Sequence, residues 1–449
     1  MMNLEMMGRE LLSQELNGIT EMNESVETRS GFTQTEKKIS CTRCGSSLVK
    51  DRVFAPCLCG EGCFYCLSCL QMGKVKKCST LYYQKEENLF ADINEPVLMW
   101  KGTLSPQQQE ASEEILSTIN QGGERLVWAV AGAGKTEMLF QGIAQALKDK
   151  KRVCLASPRV DVCLELAPRI QHAFSQTELI VLHGSMEETY RYTQLVIATT
   201  HQLMRFREAF DVLIIDEIDA FPFHLDDSLQ FAAQKARKKN GSLIYLSATP
   251  SAAMQKLVQK QQLQASILPA RYHGYPLPVP AFMWTGDWKK KIQNQKMQGR
   301  FFKIVREMLK ANRRFLIFVP NIDLMHELAT CLNLLYPSAV FTSVYAEDPE
   351  RKEKVLMMRQ EELDFLLTTT ILERGVTFRD IDVLVLGAED KTFTEAALVQ
   401  ISGRAGRHKD YPTGEVIFFH YGQSREMKHA RKQILQMNRL AYERGLIHQ

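Results

Sequence analysis

The chain has 449 residues, of which 45% are hydrophobic and 24% are charged. Such a composition is typical of a soluble globular protein of about three domains, and it excludes collagen-like, fibrous and wholly disordered chains. The net charge of +4 is too small for histone-like binding of anions, and residues 1–40 carry a net charge of −3. No apolar run approaches the roughly 18 residues of a membrane span, and the chain does not open on a signal peptide, so we expect a cytoplasmic protein.

The N-terminal region divides into an acidic stretch and a cysteine-rich stretch. Residues 1–40 are polar and show no sustained hydrophobic period, which predicts a mobile tail with one short helix around Glu5–Leu16. Eight of the eleven cysteines fall within the next 40 residues. In a reducing compartment such density indicates metal ligands before disulfides. We therefore expect a zinc-binding module at 41–80 and a connector at 81–103.

Cys41 and Cys44 are separated by two residues and are followed by a glycine. Two thiolates with this spacing predict a zinc knuckle. The second pair is open, because the sequence offers both Cys63 with Cys66 and Cys66 with Cys69. We favour Cys41, Cys44, Cys63 and Cys66 as the four ligands of one Zn²⁺. The other four cysteines of the module are enough for a second site if the geometry allows it.

From residue 104 onward, short apolar strands alternate with helical stretches, which predicts parallel sheets covered by helices on both faces. A proline-rich connector at 269–287 separates a first such domain, 104–268, from a second, 288–449, which ends in a basic helix. The predicted strands of the first domain are Arg125–Val130, Arg152–Ala156, Leu179–Leu182, Leu195–Ala198, Val212–Ile215 and Leu243–Ser247. Those of the second are Arg314–Val319, Ala339–Val344, Phe365–Thr369, Val383–Leu386 and Val416–His420. The predicted fold class is α/β, with two parallel-sheet domains in tandem after a small cysteine-rich module.

A glycine-rich loop, AVAGAGKTE, lies between the strand at 125–130 and a predicted helix. Glycines let backbone N–H groups turn towards a phosphate, and the helix presents its positive end to the same anion. We expect Lys135 to reach the β- and γ-phosphates of ATP and the Thr136 hydroxyl to hold Mg²⁺. The predicted phosphate-contacting residues of the loop are Ala131, Gly132, Ala133, Gly134, Lys135 and Thr136.

Two further groups of charged residues are candidates for the ATP site, one after a strand of the first domain and one on a predicted helix of the second. The strand at 212–215 ends in Asp216 and Glu217, and the carboxyl ends of parallel strands meet at one edge of the sheet. We expect Asp216 to hold Mg²⁺ through water and Glu217 to orient or deprotonate the attacking water. In the second domain Arg404 and Arg407 lie three apart, on one face of a predicted helix, and are expected to stabilise charge on the γ-phosphate as arginine fingers do.

The order of these motifs, AxxGxGKT, DExD, SAT and QxxGRxGR, resembles that of superfamily 2 helicases and translocases. The resemblance implies two RecA-like domains over about 104–420 with ATP between them. It also implies that Gln108 reads the adenine and that Gly375 contributes to nucleotide binding. The segments 157–159 and 199–202 stand where that family touches the nucleic-acid backbone. Taken alone, Ser247–Thr249 is more typical of a helix cap.

The cysteine module in front of such a motor, with CxRCG, YCxxCxxMGKV and RYHGxPLP, resembles the ComFA family of late competence proteins of Gram-positive bacteria. The resemblance covers about 41–425. It implies a cytosolic ATPase, stimulated by single-stranded DNA, that helps pull transforming DNA through a membrane channel. It also implies the partners ComFC and DprA and a place at the inner face of the cell membrane, with a homo-oligomer left open. Two alternatives are a PriA-like replication-restart helicase and a zinc-dependent DNA-binding module with a vestigial motor.

Overall fold

A computed structural model describes residues 4–16, 25–36, 38–60, 62–186 and 188–447 of the chain. The chain divides into two compact units. The first comprises Met1–Trp128 and Lys135–Ile267, and the second comprises Ala129–Gly134 and Leu268–Gln449. Among the residues that the structure describes, no helix has both the length and the apolar character needed to cross a bilayer.

The N-terminal part of the first unit consists of short antiparallel strands. The strands are β1 (Glu10–Leu12), β2 (Glu27–Ser30), β3 (Phe32–Gln34), β4 (Ile39–Cys41), β5 (Arg52–Phe54), β6 (Phe64–Cys66) and β7 (Thr80–Tyr83). The strands β1 and β2 pair with the two sides of β7, while β3 pairs with β4 and β5 with β6.

The structure differs from the mobile tail expected at 1–40. Leu11 and Leu12 in β1 are buried, and short 3₁₀ turns at Leu4–Met6 and Ser13–Glu15 stand where one helix was expected. Strands of three or four residues are too short to show an alternating pattern, so the sequence did not reveal them. The remaining parts of the expected tail, residues 1–3, 17–24 and 37, lie outside the described residues.

Buried ion pairs join this N-terminal part to the rest of the first unit. The carboxylate of Glu10 accepts hydrogen bonds from Lys235 (2.7 Å) and Arg29 (3.0 Å), and the Glu10 side chain is fully buried. The carboxylate of Glu15 accepts from Arg43 and Arg205, each at 2.8 Å. Because the pairs with Lys235 and Arg205 cross from the N-terminal strands to distant parts of the unit, the N-terminal part packs against the rest of the first unit.

A seven-stranded sheet forms the body of the first unit. Its strands are β8 (Gly123–Ala129), β9 (Val153–Ser157), β10 (Leu179–Leu182), β11 (Leu195–Thr199), β12 (Phe210–Ile215), β13 (Arg237–Ser247) and β14 (Gln264–Leu268). Its helices are α1 (Pro106–Gln121), α2 (Phe140–Lys148), α3 (Val160–Ala173), α4 (Asp227–Ala236) and α5 (Ala252–Gln259). The strand order is β10-β11-β9-β12-β13-β8-β14, and the pairs from β10 through β8 are parallel.

The second unit contains a six-stranded sheet whose paired strands are all parallel. Its strands are β15 (Ala281–Trp284), β16 (Phe315–Phe318), β17 (Phe341–Val344), β18 (Phe365–Thr368), β19 (Asp382–Leu386) and β20 (Val416–His420), in the order β15-β20-β19-β16-β18-β17. Its helices are α6 (Trp288–Gln293), α7 (Arg300–Lys310), α8 (Ile322–Leu335), α9 (Arg351–Arg359), α10 (Glu395–Ser402) and α11 (Arg425–Glu443). The predicted class, two parallel-sheet α/β domains of the RecA-like kind, is confirmed.

The guanidinium of Arg152, at the start of β9, is fully buried and holds several segments of the first unit together. It donates to the Glu86 carboxylate at 2.6 Å, the Tyr190 hydroxyl at 2.7 Å and the backbone carbonyls of Met7 and Thr193. Burial by itself opposes the charge, but Tyr190 and Glu86 outweigh it and raise the pKa of Arg152 above its usual value.

We predict that Arg152→Met lowers the free energy of unfolding by about 3–5 kcal/mol, because it leaves the buried Glu86 carboxylate without its cation. Urea unfolding of the full chain measures the change. The double variant Arg152→Met/Glu86→Leu should recover much of the loss, since it removes both charges. Arg191→Met, at the exposed pair with Glu188, should change stability by less than about 1 kcal/mol. Equal losses at Arg152 and Arg191 would contradict the prediction.

Candidate nucleotide and metal sites

Four strands of the first sheet end at the same edge. In the parallel registers Ser247 pairs with Trp128, Ile215 with Tyr245, and Ile215 with Ala156. The glycine-rich loop follows β8 and the Asp216–Glu217 pair follows β12, with only β13 between these two strands. The strands that precede the loop and the carboxylates therefore end near each other at this edge, and a shared nucleotide site there remains a prediction.

The glycine-rich loop has the backbone that its sequence requires. Gly132 and Gly134 have φ values of +84° and +74°, a region that side chains other than glycine rarely adopt. The Tyr272 backbone N–H donates to the Gly132 carbonyl at 3.0 Å, and Thr136 is buried where the chain turns into a short 3₁₀ segment before α2. Lys135 is partly exposed at the end of the loop.

The carboxylate pair has a constrained backbone. The Asp216 N–H donates to the Ala156 carbonyl at 2.8 Å, so the end of β12 is tied to β9. Glu217 has a φ of +56°, and its N–H donates to the Asp216 Oδ1 at 2.8 Å. A non-glycine residue in this region costs conformational energy, and such residues are concentrated at functional sites.

Asp219 is a residue that the sequence reasoning missed. Its two carboxylate oxygens accept hydrogen bonds from the Ser247 hydroxyl, at 2.7 Å, and from the Thr249 hydroxyl. The Ser247–Thr249 segment therefore joins the end of β13 to the acidic segment after β12, and the cap of the following helix is Ser251 instead. The second aspartate of the DEID segment was the available signal, because it lies two residues beyond the pair assigned to catalysis.

The sequence predicted that Arg404 and Arg407 lie on a helix, but in the structure both follow the end of one. The helix α10 ends at Ser402, and Gly406 with a φ of +64° turns the chain away from helical geometry. Arg404 is buried, and its Nε donates to the Glu373 carbonyl at 3.1 Å. Arg407 is partly exposed, and its Nε donates to the Gly403 carbonyl at 2.8 Å. Their role as arginine fingers remains a prediction.

Arg271, in the connector before β15, is a second residue that sequence reasoning did not assign. Its side chain is buried and donates to the backbone carbonyls of Gly406 and Gly403, so it holds the turn that carries both arginines. Burial, and then the charge of Arg407, lower the pKa of Arg271 to about 9. The RYHG motif marked this position in the sequence, but a buried arginine bound to carbonyls cannot be read from a motif.

Two nucleotide contacts were expected from the resemblance alone. Gln108 is buried in the first turn of α1, where its Oε1 accepts a hydrogen bond from the Ser105 N–H at 2.8 Å. This bond completes a capping box, which gives Gln108 a part in starting the helix. Gly375 follows the Glu373–Arg374 pair and has a φ of +72°. Neither residue's contact with a nucleotide is tested by the structure.

The cysteine ligands differ from the favoured set. Cys41, Cys44, Cys66 and Cys69 lie together, with all four Sγ atoms within 4.8 Å of one another, while Cys63 belongs to another group. Cys63 precedes β6 and Cys66 ends it, and residues three apart along a strand project to opposite faces. The turn after β6 instead brings Cys69 back beside Cys66.

The first cluster fits a zinc ion. A zinc–sulfur distance of about 2.3 Å in a tetrahedral site places the sulfurs roughly 3.8 Å apart. The Sγ atoms of Cys41 and Cys69, and those of Cys44 and Cys66, are each separated by 3.6 Å. All four cysteines are buried, and the Gly45 N–H closes the first turn by donating to the Cys41 carbonyl at 2.8 Å. Four thiolates with this spacing can hold Zn²⁺ as a structural ion.

Comparison with known proteins identifies the family. The "Competence protein ComFA N-terminal domain" profile matches residues 2–83. Competence protein ComFA of Bacillus subtilis (strain 168) is 45% identical over 440 residues, which are 96% of this chain and 94% of that protein. The chain belongs to the ComFA family of competence proteins. ComFA of Streptococcus pneumoniae (strain ATCC BAA-255 / R6) is 38% identical over 98% of this chain and 99% of that protein.

The remaining comparisons cover the two sheets. "Type III restriction enzyme, res subunit" matches residues 101–252, and "Helicase conserved C-terminal domain" matches residues 300–409. The structure of the DEAD-box helicase Mss116 bound to single-stranded RNA has a TM-score of 0.55 at 17% identity, covering 75% of this chain and 78% of that chain. Replication restart protein PriA of Haemophilus influenzae (strain ATCC 51907 / DSM 11121 / KW20 / Rd) is 28% identical over 47% of this chain and 30% of that protein. The resemblances to the ComFA family and to superfamily 2 helicase domains are thus confirmed, and the family domain starts well before Cys41.

We predict that Asp219→Ala lowers the free energy of unfolding by about 1–3 kcal/mol, because it leaves the buried Ser247 and Thr249 hydroxyls without their acceptor. Urea unfolding measures the loss. A triple variant that also carries Ser247→Ala and Thr249→Val should be more stable than Asp219→Ala, since the groups left without a partner are gone. A triple variant that is less stable than the single variant would contradict this account.

Proposed function

We propose that this chain is an ATP-dependent translocase that moves single-stranded DNA during natural transformation. The observation that carries the proposal is the strand order of the first sheet, in which β8 and β12, the strands that precede the glycine-rich loop and the Asp216–Glu217 pair, are separated only by β13, in a chain of the ComFA family. A phosphate-binding loop beside two carboxylates is the arrangement that phosphoryl transfer from ATP requires.

The predicted nucleotide-binding residues divide the work on ATP. The backbone N–H groups of Ala131–Gly134 surround the phosphates, and Lys135 supplies a positive charge to the β- and γ-phosphates. Thr136 and Asp216 would hold Mg²⁺, which neutralises charge on the phosphate oxygens when bound. Glu217 orients the attacking water and accepts its proton. Gln108 and Gly375 complete the nucleotide contacts.

Arg404 and Arg407 stabilise the charge that develops on the γ-phosphate. In well-studied phosphoryl-transfer enzymes such an arginine contributes roughly 10³–10⁵ in rate. The turn that carries these residues is held by Arg271, whose two carbonyl bonds need the planar fork of a guanidinium. Arg271 is therefore a positioning residue in this proposal, because it acts through the arginines that follow Gly403.

Single-stranded DNA is the substrate that the motor moves and the activator of its ATPase activity. Contacts from 157–159 and 199–202 go to the sugar–phosphate backbone, and such contacts carry no sequence information, which suits the uptake of arbitrary DNA. In natural transformation the translocase would act beside a DNA-uptake channel at the inner face of the cell membrane, with ComFC and DprA as partners. A homo-oligomer fits the same role.

The first cysteine cluster holds one zinc ion that stabilises the N-terminal part of the first unit. Its four thiolates belong to the same hydrophobic core as Leu203 and Phe206. Metal binding releases free energy that the short strands around it could not supply by burying apolar surface alone.

The two alternatives have less support. The similarity to PriA covers only 47% of this chain, against 96% for the Bacillus subtilis ComFA. A vestigial motor is disfavoured because Gly132, Gly134 and Glu217 keep positive φ values that a disused site would have no reason to retain.

We predict that Lys135→Ala abolishes ATP hydrolysis, because it removes the charge that faces the γ-phosphate without disturbing a core. ATP turnover of the full chain is measured with and without single-stranded DNA. Lys148→Ala, which removes a partly exposed lysine from the end of α2, is the matched control and should keep the parent rate. Turnover by Lys135→Ala near the parent rate would exclude the assigned nucleotide site, and the absence of any DNA stimulation in the parent would exclude the translocase.

We predict that Glu217→Gln binds ATP but hydrolyses it about 10²–10⁴-fold more slowly, because an amide cannot accept the proton of the attacking water. Nucleotide binding is measured by equilibrium titration and hydrolysis by single-turnover kinetics. A loss of binding with an unchanged rate for bound ATP would show that Glu217 holds the nucleotide and does not act on the water.

A further inference from the structure

Four cysteines outside the first cluster also lie together. The Sγ atoms of Cys57, Cys59, Cys63 and Cys78 are all within 4.8 Å of one another. Cys78 lies 3.7 Å from Cys57 and 3.8 Å from Cys63, measured between Sγ atoms. These separations match the roughly 3.8 Å between sulfurs of a tetrahedral zinc site, and they exceed the roughly 2.05 Å of a disulfide bond.

The second cluster is separate from the first and complete in itself. Cys57 and Cys59 lie in the loop between β5 and β6, Cys63 directly precedes β6, and Cys78 lies two residues before β7. Cys63 lies in this cluster and Cys66 in the first, so each cluster has four thiols and neither takes a ligand from the other.

The loop that carries Cys57 and Cys59 buries little apolar surface that could hold it in place. Leu58 between them is fully exposed, and Phe54 at the end of β5 is 71% exposed. Hydrophobic burial therefore cannot fix this conformation, whereas four bonds to one metal ion can. The exposure of Cys59 and Cys78 also distinguishes this cluster from the first, in which every cysteine is buried.

Positive charge lies next to the thiols. Four thiolates around one zinc ion carry a net charge of roughly −2. Lys76 and Lys77 directly precede Cys78, and the Lys77 ammonium lies 5.9 Å from the ring centre of Phe64, the residue after Cys63. These two lysines supply positive charge that complements a negatively charged metal site at Cys78.

We propose that Cys57, Cys59, Cys63 and Cys78 bind a second zinc ion, which ties the loop between β5 and β6 to the start of β7. The site goes beyond the single zinc ion of the proposed function and does not depend on ATP hydrolysis or DNA binding. A tetrahedral set of four thiolates selects zinc or iron among the common metals, and the ordering of a surface loop needs no redox chemistry.

The experiment measures the metal content of the full chain, purified under reducing conditions without chelator, by mass spectrometry of the elements. We expect about two zinc ions per chain in the parent and about one in Cys59→Ser/Cys78→Ser. Cys331→Ala, which changes a buried cysteine of the second unit, is the matched control and should keep both ions. Limited proteolysis should cut the double variant between β5 and β6 faster than the parent, because that loop has lost its metal.

Several results would overturn the proposal. These are a single zinc ion in the parent, an unchanged zinc content in the double variant, iron in place of the second zinc ion, and a disulfide between cysteines of this cluster. If the double variant does not fold, the zinc content of Cys59→His tests the site instead, because histidine can replace a cysteine ligand of zinc. Its zinc content should stay near two ions per chain if the cluster binds zinc, and a parent-like content in a folded Cys59→Ala variant would exclude the site.

Discussion

The buried guanidinium of Arg152 is the interaction on which the arrangement of the first unit depends. It binds the N-terminal segment through Met7, the connector through Glu86 and the segment before β11 through Tyr190 and Thr193. Arg152 stands at the start of β9, and the other end of that strand lies at the edge that carries the motor residues. One buried charge thus joins the N-terminal segment, the connector and the segment before β11 to the start of β9.

The first cysteine cluster and the first sheet share one hydrophobic core, so the metal site and the predicted motor are not structurally independent. The sequence suggested a small module that folds on its own zinc ion beside an independent ATPase. In the structure Cys41 and Cys66 belong to the same hydrophobic core as Phe210 and Leu213 of β12, the strand that ends before Asp216 and Glu217. Loss of the buried zinc would therefore disturb the strand that positions Asp216, whereas loss of a metal from the exposed cluster would affect only its loop.

The nucleotide-site motifs could be recognised in the sequence because their chemistry restricts the residues within short stretches. A phosphate loop needs glycines that adopt positive φ followed by a lysine, and a strand that ends in two acids supplies a carboxylate for a metal ion and one for water. The contacts of Asp219 and Arg271 could not be predicted in this way. Each joins segments that are far apart in the chain, and the partner of Arg271 is a backbone carbonyl, which no residue type reveals.

The sequence by itself determined the α/β class, the two parallel sheets, the ATP-site motifs and the family, because these depend on local periodicity and on residue order. Only the tertiary structure decided which cysteines lie together. The spacings of Cys63–Cys66 and Cys66–Cys69 are identical in sequence, but a strand lies between the first two and a turn between the second two. Thiols bind one metal ion only when the backbone directs them to the same side, and that direction is a property of the folded chain.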